Sequence, residues 1–418
     1  MGTLTLGPNI VLGHIEFFVL IVVYVLLSVS QLIFCIRTPN GSILTSSSQF
    51  NVMNYGAIGD GLQDDTPAFS KAWADVCGAI GEIPTLTIPA GKTFLLTPIS
   101  FHGPCKSSNI HVEIQGKLVA PDNRGSWKNC EANCWIVFSS VENLIVDGSG
   151  KINGTGSIWW QNNDPTTRDN ALCLINCNGL RLQGLTHVDS PKSHISISGC
   201  NNSIISNLQI MAPETSHNTD GIDIISSNRV HISDSIIQTG DDCIAIGSHT
   251  SWLNITGITC GPGHGISVGS LGKEGEDAKV EEIYVKNCTF KGSLNGARIK
   301  TWQGGLGYAR NIIFEDIPLI DVGNPIIIDQ YYCDGAKNCG TAQSGVKVTG
   351  VSYRGFHGTS KTAAAISLNC SSTVACTGIV MESINIVSST SSYDTYAVCI
   401  NAQGKQSLVA PQVPCLTH

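Results

Sequence analysis

Three polar residues at a fixed interval mark the part of the chain where chemistry is expected. Asp220, Asp242 and His264 are 22 residues apart, and each comes two positions before a short alternating apolar segment. Asp241, directly before Asp242, adds a third carboxylate. If one coil of a solenoid takes about 22 residues, these groups stack at the spacing of neighbouring strands, roughly 5 Å per coil. The sequence therefore predicts three carboxylates and one imidazole on a single surface.

Such a cluster suits acid/base hydrolysis of a glycosidic bond. Like charges this close cannot all stay ionised, so at least one carboxyl group is expected to have a raised pKa and to hold a proton. A protonated carboxyl beside an ionised one provides an acid that protonates the leaving oxygen and a base that activates water. His264, one coil further on, can hold the acid's proton in place or tune its pKa.

Two cations follow the cluster and indicate the charge of the substrate. Arg298 and Lys300 are at positions i and i+2, so their side chains are expected to point the same way from one strand. Two cations directed into an acidic groove are useful where the substrate itself carries carboxylates. Arginine can bind such a carboxylate through two hydrogen bonds.

Each motif also has an ordinary structural explanation. Asp-Asp after glycine is usually a turn or a calcium ligand, Gly-His-Gly is usually a turn, and Arg-x-Lys is usually one face of an exposed strand. Asp223 and Asp234 have the pattern of solvent-side strand residues. The four motifs nevertheless occur together, and three of them are separated by the same 22-residue interval. This joint occurrence favours one catalytic site over a set of unrelated turns.

The elements that must position these groups are predicted to be the strands of an all-β solenoid. Charged residues make up only 13% of the chain, and Ile and Val recur in short runs bounded by Gly, Asn and Ser. One apolar residue, two mostly polar or small residues and further apolar positions recur eight times, at intervals of 23 to 39 residues. A fixed strand pattern with irregular spacing predicts a parallel β-helix of about ten coils with turns of variable length. The leading residues of the eight repeats are Leu182, Ile205, Ile232, Ile255, Val285, Phe314, Tyr353 and Met381.

A short helix is predicted to cap the N-terminal end of this solenoid. Thr66 is a favourable N-cap and Pro67 suits the first helical position, so the helix is expected to run from about Pro67 to Val76. An amphipathic helix can cover the open edge of a stacked β-structure by burying its last layer of apolar side chains.

The chain is divided into a targeting segment, a linker and one domain. Residues 15–36 are apolar apart from Glu16 and a few small polar residues, so residues 1–37 are interpreted as a signal peptide or an uncleaved N-terminal anchor. Residues 38–49 are interpreted as a polar linker, and residues 50–418 as a parallel β-helix catalytic domain. The protein is thus expected to be secreted, with a membrane as partner only if the N-terminal segment is uncleaved.

The cysteines fit an oxidising compartment. Loss of Cys35 with a cleaved signal peptide leaves 16 of 17 cysteines, an even number consistent with structural disulfides. Pairs close in sequence that are expected to close short loops are Cys333/Cys339, Cys370/Cys376 and Cys399/Cys415.

Net charge bears on the expected partner, and glycosylation signals bear on the expected location. The formal net charge of −8, without a Lys/Arg cluster, argues against a nucleic-acid partner. Sequons for N-glycosylation fit a secreted surface and occur at Asn40, Asn153, Asn201, Asn254, Asn287 and Asn369.

Taken together, the motifs resemble those of plant-type polygalacturonases, which belong to glycoside hydrolase family 28. The resemblance covers nearly everything from Phe50 to about Cys415 and includes 54–57, 60–69 and 324–333. Its most specific parts are Asn218-Thr219-Asp220, Gly240-Asp241-Asp242, Gly263-His264-Gly265 and Arg298-Ile299-Lys300.

The resemblance implies a right-handed parallel β-helix that hydrolyses α-1,4 bonds between galacturonates in de-esterified pectin, with inversion and with no metal or other cofactor. It implies that Asp241 is the general acid, that Asp220 and Asp242 activate the water, and that His264 supports the acid. The implied substrate-binding residues are Arg298, Lys300, Tyr332 and Asn218. The expected partner is pectin or polygalacturonate, the expected location is the cell wall, and the expected state is a monomer.

Two positions depart from the commonest plant pattern. His217 stands where proline often precedes Asn-Thr-Asp, and Asp223 stands where histidine often follows it. Neither change removes a catalytic group. The added negative charge of Asp223 bears on subsite preference and on the pH optimum.

Three other functions stay open at this stage. A pectate lyase shares the solenoid but eliminates with calcium and a basic residue, and the complete motif set argues against it. Hydrolysis of rhamnogalacturonan is a closer alternative, although Arg298 and Lys300 favour galacturonate on both sides of the cut. A catalytically silent wall-binding protein would keep the fold without turnover. The sequence does not decide between endo and exo action or the tolerance of methyl esters.

Overall fold

A computed structural model describes residues 2, 48–81, 83–128, 130–161, 167–334, 345–390 and 392–417. Most of the predicted signal peptide or anchor, the linker up to residue 47, and Cys35, Asn40 and Cys339 lie outside these residues. No helix in the described ranges combines the length and the hydropathy that crossing a bilayer requires.

Parallel strands stacked coil upon coil make up most of the described structure, which confirms the predicted all-β parallel β-helix. The strands, numbered in chain order, form two sheets in the described part of the chain. The groove sheet has 11 strands, which neighbour one another in chain order. They are β5 Ile99–His102, β8 Cys134–Ser139, β11 Asn170–Ile175, β14 Ile195–Ser198, β17 Ile222–Ile225, β20 Ile244–Ile246, β23 Ile266–Leu271, β26 Asn295–Trp302, β28 Asn324–Tyr332, β30 Ala364–Asn369 and β32 Tyr396–Ile400.

The back sheet contains the remaining 22 strands and follows the other flanks of each coil. They are β1 Gln49–Asn51, β2 Asp60–Asp64, β3 Thr85–Ile88, β4 Thr93–Leu95, β6 Ile110–Ile114, β7 Lys117–Val119, β9 Leu144–Asp147, β10 Lys151–Asn153, β12 Arg181–Gln183, β13 Thr186–Val188, β15 Asn201–Ser206, β16 Gln209–Met211, β18 Asn228–Ser233, β19 Ile236–Gln238, β21 Thr250–Thr256, β22 Thr259–Cys260, β24 Asp277–Lys286, β25 Thr289–Lys291, β27 Leu306–Val322, β29 Lys347–Ser360, β31 Cys376–Ser388 and β33 Ala402–Ala410.

The eight repeats found in the sequence stack in register on the back sheet. Each leading residue pairs with the leading residue of the next repeat, from Leu182 through to Met381. All eight leading side chains are buried, and the rings of Phe314 and Tyr353 stack with centroids 5.6 Å apart. We call this row the core ladder. Because each coil is too small to bury its own core, the ladder provides much of the contact that holds successive coils together.

The third position of each repeat has a conformational role that its polarity alone does not reveal. It adopts a left-handed backbone conformation in every repeat, with φ between 50° and 77°, and it bends the chain either between two strands or within one long strand. Glycine, asparagine and aspartate tolerate this conformation best, which explains their frequency there. The residues are Gly184, Asn207, Asp234, Gly257, Asn287, Asp316, Gly355 and Ser383. Asp234 is exposed as predicted, at a bend directly after β18.

The predicted capping helix is present and slightly longer than expected. Helix α1 runs Thr66–Gly78 and buries its apolar face, with Trp73 packed against Phe101 of the groove sheet at 5.1 Å between ring centroids. The predicted N-cap is wrong: the helix begins at Thr66, so Asp65 is the N-cap. The Asp65 carboxylate makes no capping hydrogen bond because it accepts from the backbone of the preceding loop instead. A second helix, α2, spans Ser157–Trp160.

Disulfides tie neighbouring segments together. Two of the three short pairs predicted from the sequence, Cys370–Cys376 and Cys399–Cys415, are present. Cys333 is disulfide-bonded, and its predicted partner lies outside the described residues. Longer bridges join Cys77 to Cys105, Cys134 to Cys173 and Cys243 to Cys260. Cys130, Cys177, Cys200 and Cys288 are free thiols.

Candidate active site

The groove sheet confirms the stacking predicted from the 22-residue interval. Ile222 of β17 pairs with Ile244 of β20, which pairs with Ile266 of β23. Asp220, Asp242 and His264 precede these three residues by two positions and therefore lie in consecutive coils. Their side chains sit at the strand entrances, where loops open onto the groove.

Backbone contacts fix the first two of these loops against each other. The Gly221 amide donates to the carbonyl of Asp242 at 2.9 Å, and the Gly240 amide donates to Thr219 Oγ1 at 3.0 Å. A Cβ at Gly240 would lie 2.1 Å from the carbonyl oxygen of Ser216, so only glycine fits. The threonine and the glycine of the two motifs thus set the distance between the carboxylate-bearing loops.

The Gly-His-Gly loop is held in the same way. Gly265 has φ of +86°, and a Cβ there would lie 2.2 Å from the carbonyl oxygen of Gly296 in the next coil. The His264 amide donates to the Asp241 carbonyl at 2.7 Å, which brings the imidazole over the carboxylates. The glycines are therefore required by the close approach of the coils.

Asp241 accepts three hydrogen bonds through its two carboxylate oxygens. His264 Nδ1 lies 2.9 Å from Oδ1, the Asp242 amide donates to Oδ1 at 2.8 Å, and Asn218 Nδ2 donates to Oδ2 at 3.3 Å. Burial acts to raise the pKa of Asp241, but the hydrogen bond and charge of His264, with the charges of Lys300 and Arg298, outweigh it and lower the pKa to about 2. In the unliganded protein Asp241 is therefore ionised.

Asp220 has the opposite electrostatic environment. Its pKa is raised well above the usual range by burial and by the neighbouring carboxylates of Asp241, Asp223 and Asp242, with only partial compensation from Lys300. This direction agrees with the expectation that at least one carboxyl of the cluster has a raised pKa. These opposite shifts favour a proton on Asp220 over one on Asp241, the general acid that the family resemblance implies.

Asp242 is enclosed by cations. Its side chain is 1% exposed; Oδ1 accepts from Arg298 at 2.7 Å and from Ser267 Oγ at 2.8 Å, and Oδ2 accepts from Lys300 Nζ at 2.8 Å. Arg298 also donates from Nε to Ser267 at 2.8 Å. One carboxylate between two cations leaves a net charge of +1 on this group. A further anion can therefore be attracted to it.

Aromatic side chains border the cationic end of the groove. Lys300 Nζ lies 5.2 Å from the centroid of the Tyr332 ring, and Tyr332 meets Trp302 edge to face at 5.4 Å. The Tyr332 hydroxyl donates to Asp334 Oδ1 at 2.9 Å. Tyr332 is thus held in place by three neighbours and lines the groove.

These residues line one continuous depression. The main groove has a volume of about 680 Å³, and it joins a second cavity of about 340 Å³ through the shared residues Asn218, Asp220 and Lys300. Seven of the eight residues expected to form the site line the main groove, and Asp242 lines the adjoining cavity. The main groove is lined by His217, Asn218, Asp220, Asp241, His264, Leu294, Arg298, Lys300, Tyr332 and Asp334.

The prediction that Asp223 is an ordinary solvent-side residue is wrong. Its Oδ2 accepts a hydrogen bond of 2.5 Å from Ser193 Oγ, and its Oδ1 is buried. Burial raises the pKa of Asp223 to about 6. The alternation around Asp223 correctly predicted that its side chain leaves the core, but the outer face here is the groove floor.

Two serines were missed in the sequence. Ser193 binds Asp223, and Ser267 bridges Asp242 and Arg298. Ser267 has a recognisable signal, because it occupies the outward position of the strand that follows Gly-His-Gly. Ser193 comes from an earlier coil and has no such signal.

A metal ion has limited access to the carboxylates. One ligand atom each of Asp241, Asp242 and His264 lies within 4.8 Å of the others, a spacing compatible with a cation. Both oxygens of Asp242 are already bound to Arg298 and Lys300, however, and these charges would repel a cation. The cluster therefore offers a poor donor set for a metal.

Paired carboxylates in an open groove are typical of glycoside hydrolases, and comparisons with known proteins agree. The family profile of Glycosyl hydrolases family 28 matches residues 77–408. A probable polygalacturonase of Arabidopsis thaliana is 50% identical over 380 residues, which are 90% of this chain and 82% of that protein. A polygalacturonase of Persea americana is 42% identical over 357 residues, 84% of this chain and 76% of that protein.

A solved structure extends the comparison to the fold. The endo-xylogalacturonan hydrolase of Aspergillus tubingensis matches with a TM-score of 0.72 at 25% identity, over 85% of this chain and 96% of that one. The protein is therefore a glycoside hydrolase with a parallel β-helix fold. The chain belongs to glycosyl hydrolases family 28.

Proposed function

We propose that the protein is a polygalacturonase that hydrolyses α-1,4 bonds between galacturonates in de-esterified pectin by inverting acid/base catalysis. The observation that carries the proposal is the placement of Arg298 and Lys300, with net positive charge, beside three carboxylates in one groove. The name polygalacturonase, borne by relatives that are 42% and 50% identical, supports it.

Asp241 is proposed as the general acid and His264 as its support. In this role Asp241 donates its proton to the leaving glycosidic oxygen as the bond from that oxygen to the anomeric carbon breaks. The Nδ1 atom of His264 and the Asn218 amide hold the carboxyl in one orientation. A fixed orientation matters because the acid must meet the leaving oxygen at hydrogen-bond distance.

The proton that Asp241 needs is held by Asp220 before the substrate binds. Arg298 and Lys300 are among the charges that lower the pKa of Asp241. Substrate carboxylates that pair with these cations neutralise part of that effect and exclude water, so the pKa of Asp241 rises. The proton moves within the carboxylate cluster from Asp220 to Asp241. Substrate binding thereby protonates the general acid.

Asp220 and Asp242 are proposed to activate the water. Once Asp220 has given up its proton it can accept one from a water that attacks the anomeric carbon from the opposite face. Asp242, held as a carboxylate by Arg298 and Lys300, orients that water. The products are a new reducing end of inverted configuration and a free hydroxyl on the leaving sugar, and the enzyme ends with its original proton count.

Substrate binding is assigned to the cationic end of the groove. Arg298 and Lys300 bind a galacturonate carboxylate, Tyr332 packs on a sugar ring, and Asn218 contacts the sugar at the cleaved bond. The reaction needs no metal or other cofactor, since both proton transfers use the chain's own carboxyl groups. Activity is expected to persist in excess chelator.

The same proposal includes the organisation of the whole chain. Residues 1–37 direct secretion as a signal peptide or N-terminal anchor, 38–49 are a linker, and 50–418 are the catalytic domain, although β1 already begins at Gln49. The mature protein acts as a monomer on pectin in the plant cell wall. A membrane is involved only if the N-terminal segment is retained.

The test uses purified protein and polygalacturonate with a chelator present, and follows new reducing ends and the ultraviolet absorbance of unsaturated uronate in parallel. Reducing ends without the absorbance are the expected result. Absorbance that appears only after calcium is restored would instead identify a lyase and contradict the proposal. Uncharged α-glucans serve as the control, because equal hydrolysis of these would contradict the role of Arg298 and Lys300.

A further inference from the structure

Asp223 lies in the adjoining cavity, next to the cleavage position but outside the catalytic cluster. On the groove sheet it pairs with Ala245, which pairs with Ser267, which pairs with Arg298. The cavity that Asp223 lines shares Asn218, Asp220 and Lys300 with the main groove. The cavity of about 340 Å³ also has Lys192 and Ser193 in its lining. A substrate that fills the main groove can therefore continue over Asp223.

One oxygen of Asp223 lacks a partner. Ser193 satisfies Oδ2, but Oδ1 is buried and has no hydrogen-bond partner in the part of the chain that the structure describes. A buried, unsatisfied carboxylate oxygen costs free energy that a protein retains only where something compensates for it. A proton on the carboxyl removes the charge and with it the larger part of this cost.

Charges of both signs face this carboxyl. Burial raises the pKa of Asp223 to about 6, the charges of Asp242 and Asp241 add to the rise, and Ser193 and Lys192 oppose it. The carboxyl of Asp220 and the ammonium of Lys300 line the same cavity, and Asp169 is a further acidic group near Lys192.

Lys192 is the cation available in this cavity. Unlike Lys300, it forms no ion pair within 4.0 Å among the described residues. Lys192 with a neutral Asp223 has a net charge of +1, and Lys192 with an ionised Asp223 has none. The charge that this pair presents to a substrate therefore changes with the protonation of a single carboxyl group.

We propose that Lys192 and Asp223 form a subsite that binds a galacturonate carboxylate while Asp223 is neutral, and that loses its preference over a methyl-esterified unit once Asp223 is ionised. This inference rests on the proposed function, since it assigns the chemical form of the galacturonate unit next to the cleaved bond. The free carboxylate and the methyl ester differ by one negative charge at nearly the same size, so charge alone can discriminate between them. Discrimination is then strong in acid and weak near neutrality.

The test compares two oligogalacturonides of equal length, one de-esterified and one partly methyl-esterified, between about pH 4 and pH 8, a range that brackets the pKa of Asp223. The measured quantity is kcat/KM for the acid substrate divided by kcat/KM for the ester. Titrations that affect both substrates alike cancel in this ratio. For the wild type we expect it to fall roughly fivefold or more across the range, the order of effect of one nearby charge.

Two variants separate the members of the pair. Asp223→Asn removes the titration and keeps an acceptor for Ser193, so its ratio is expected to stay high at every pH. Lys192→Gln removes the cation but keeps the titration of Asp223, so its ratio is expected to be lower than that of the wild type already in acid and to fall further as Asp223 ionises. Lys291→Gln, an exposed lysine at the end of β25, is the matched control and should follow the wild type.

Thermal unfolding gives a readout independent of turnover. Because the folded-state pKa of Asp223 is raised, its contribution to stability is fully present below the ordinary carboxyl pKa and is lost as pH rises through about 6. Asp223→Asn should therefore unfold at a higher temperature than the wild type near pH 8, with the difference vanishing near pH 4.

The inference is overturned if Asp223→Asn keeps the wild-type pH dependence of the ratio, or if Lys192→Gln keeps the wild-type ratio in acid. A stability difference for Asp223→Asn that is the same at both pH values would also contradict it. Absence of any hydrolysis by the wild type at every pH would overturn the proposed function instead, so the two failures are distinguishable.

Discussion

The core ladder and the carboxylate cluster are both stacks with one residue per coil, yet they place opposite demands on the chain. In the ladder, buried apolar side chains from Leu182 to Met381 repeat the same contact, and each contact stabilises the fold. In the cluster, Asp220 and Asp242 lie in consecutive coils, and burial together with the charges of neighbouring carboxylates, Asp242 among them, raises the pKa of Asp220. The same register thus provides stability on one flank and a costly concentration of charge on the other.

This difference shows how the catalytic side chains are positioned. The loops bearing Asp220 and Asp242 are positioned by backbone bonds and by register, rather than by the carboxyl groups themselves. The Asp220 side chain can therefore occupy an electrostatically unfavourable environment, as is common at functional sites. Substitutions in the cluster should change rate more than stability, and substitutions in the ladder should do the reverse.

The largest effect is expected for Asp241→Asn. We expect kcat on polygalacturonate to fall about 10³-fold, the usual contribution of a general acid, because the amide cannot deliver a proton. The amide keeps the shape of the side chain, so the variant should remain folded, as circular dichroism would verify. A near-normal rate, or an unfolded protein, would contradict the contrast between cluster and ladder.

The reverse effect is expected in the ladder. Ile232→Ala removes a fully buried side chain and should lower the free energy of unfolding by about 2–5 kcal/mol, with kcat retained at temperatures where the protein is folded. Ile236→Ala is the matched control: its side chain is 45% exposed, and denaturant unfolding should detect a change of less than about 1 kcal/mol. Equal losses in the free energy of unfolding for the two variants would contradict the stabilising role given to the ladder.

Lys300→Ala tests a residue that belongs to the cluster but is also buried. We expect kcat/KM on polygalacturonate to fall about 100-fold because a cation for the substrate carboxylate is lost. The stability loss should be about 1–2 kcal/mol, since Arg298 and Ser267 continue to bind Asp242. Lys286→Ala, which removes a cation paired with Glu315 on the back sheet, should leave kcat/KM unchanged. A stability loss larger than the binding loss would make Lys300 chiefly structural.

The smallest effect is expected at the bend of the last back-sheet strand. Leu408 has φ of 56° and is 82% exposed, so it combines a left-handed backbone with a side chain that packs little. Leu408→Asn should stabilise the protein by about 0.5–1 kcal/mol, because asparagine tolerates this conformation better. Leu408→Ala keeps the Cβ and should show no such gain in denaturant unfolding. A gain for both variants would point to the loss of exposed apolar surface instead.

The stacking of the site residues and the positions of the strands could be predicted because each coil repeats one geometry. The interval between Asp220 and Asp242 predicted their stacking, and the eight leading residues of the ladder pair as expected. The left-handed bends explain why the third position of each repeat favours glycine, asparagine and aspartate. Local conformation and register are thus encoded in short segments of the sequence.

Features that depend on contacts between coils were harder to predict from the sequence. The hydrogen bond to Asp223 comes from Ser193, 30 residues earlier, and the raised pKa of Asp220 depends on burial and on four neighbouring charged groups. The N-cap was misplaced because the Asp65 carboxylate is engaged by the preceding loop. The even number of cysteines was consistent with structural disulfides but did not show which cysteines stay unpaired, and three of the free ones are buried thiols.

The most direct test of the account separates the acid from the base by changing the leaving group. An aryl oligogalacturonide with a good leaving group needs little protonation, so loss of the general acid should matter less with it than with polygalacturonate. We predict that Asp241→Asn recovers at least about tenfold of its lost rate on the aryl substrate, whereas Asp220→Asn is impaired equally on both. Recovery by Asp220→Asn and not by Asp241→Asn would show that the proton stays on Asp220 during catalysis, and would contradict the assignment of Asp241.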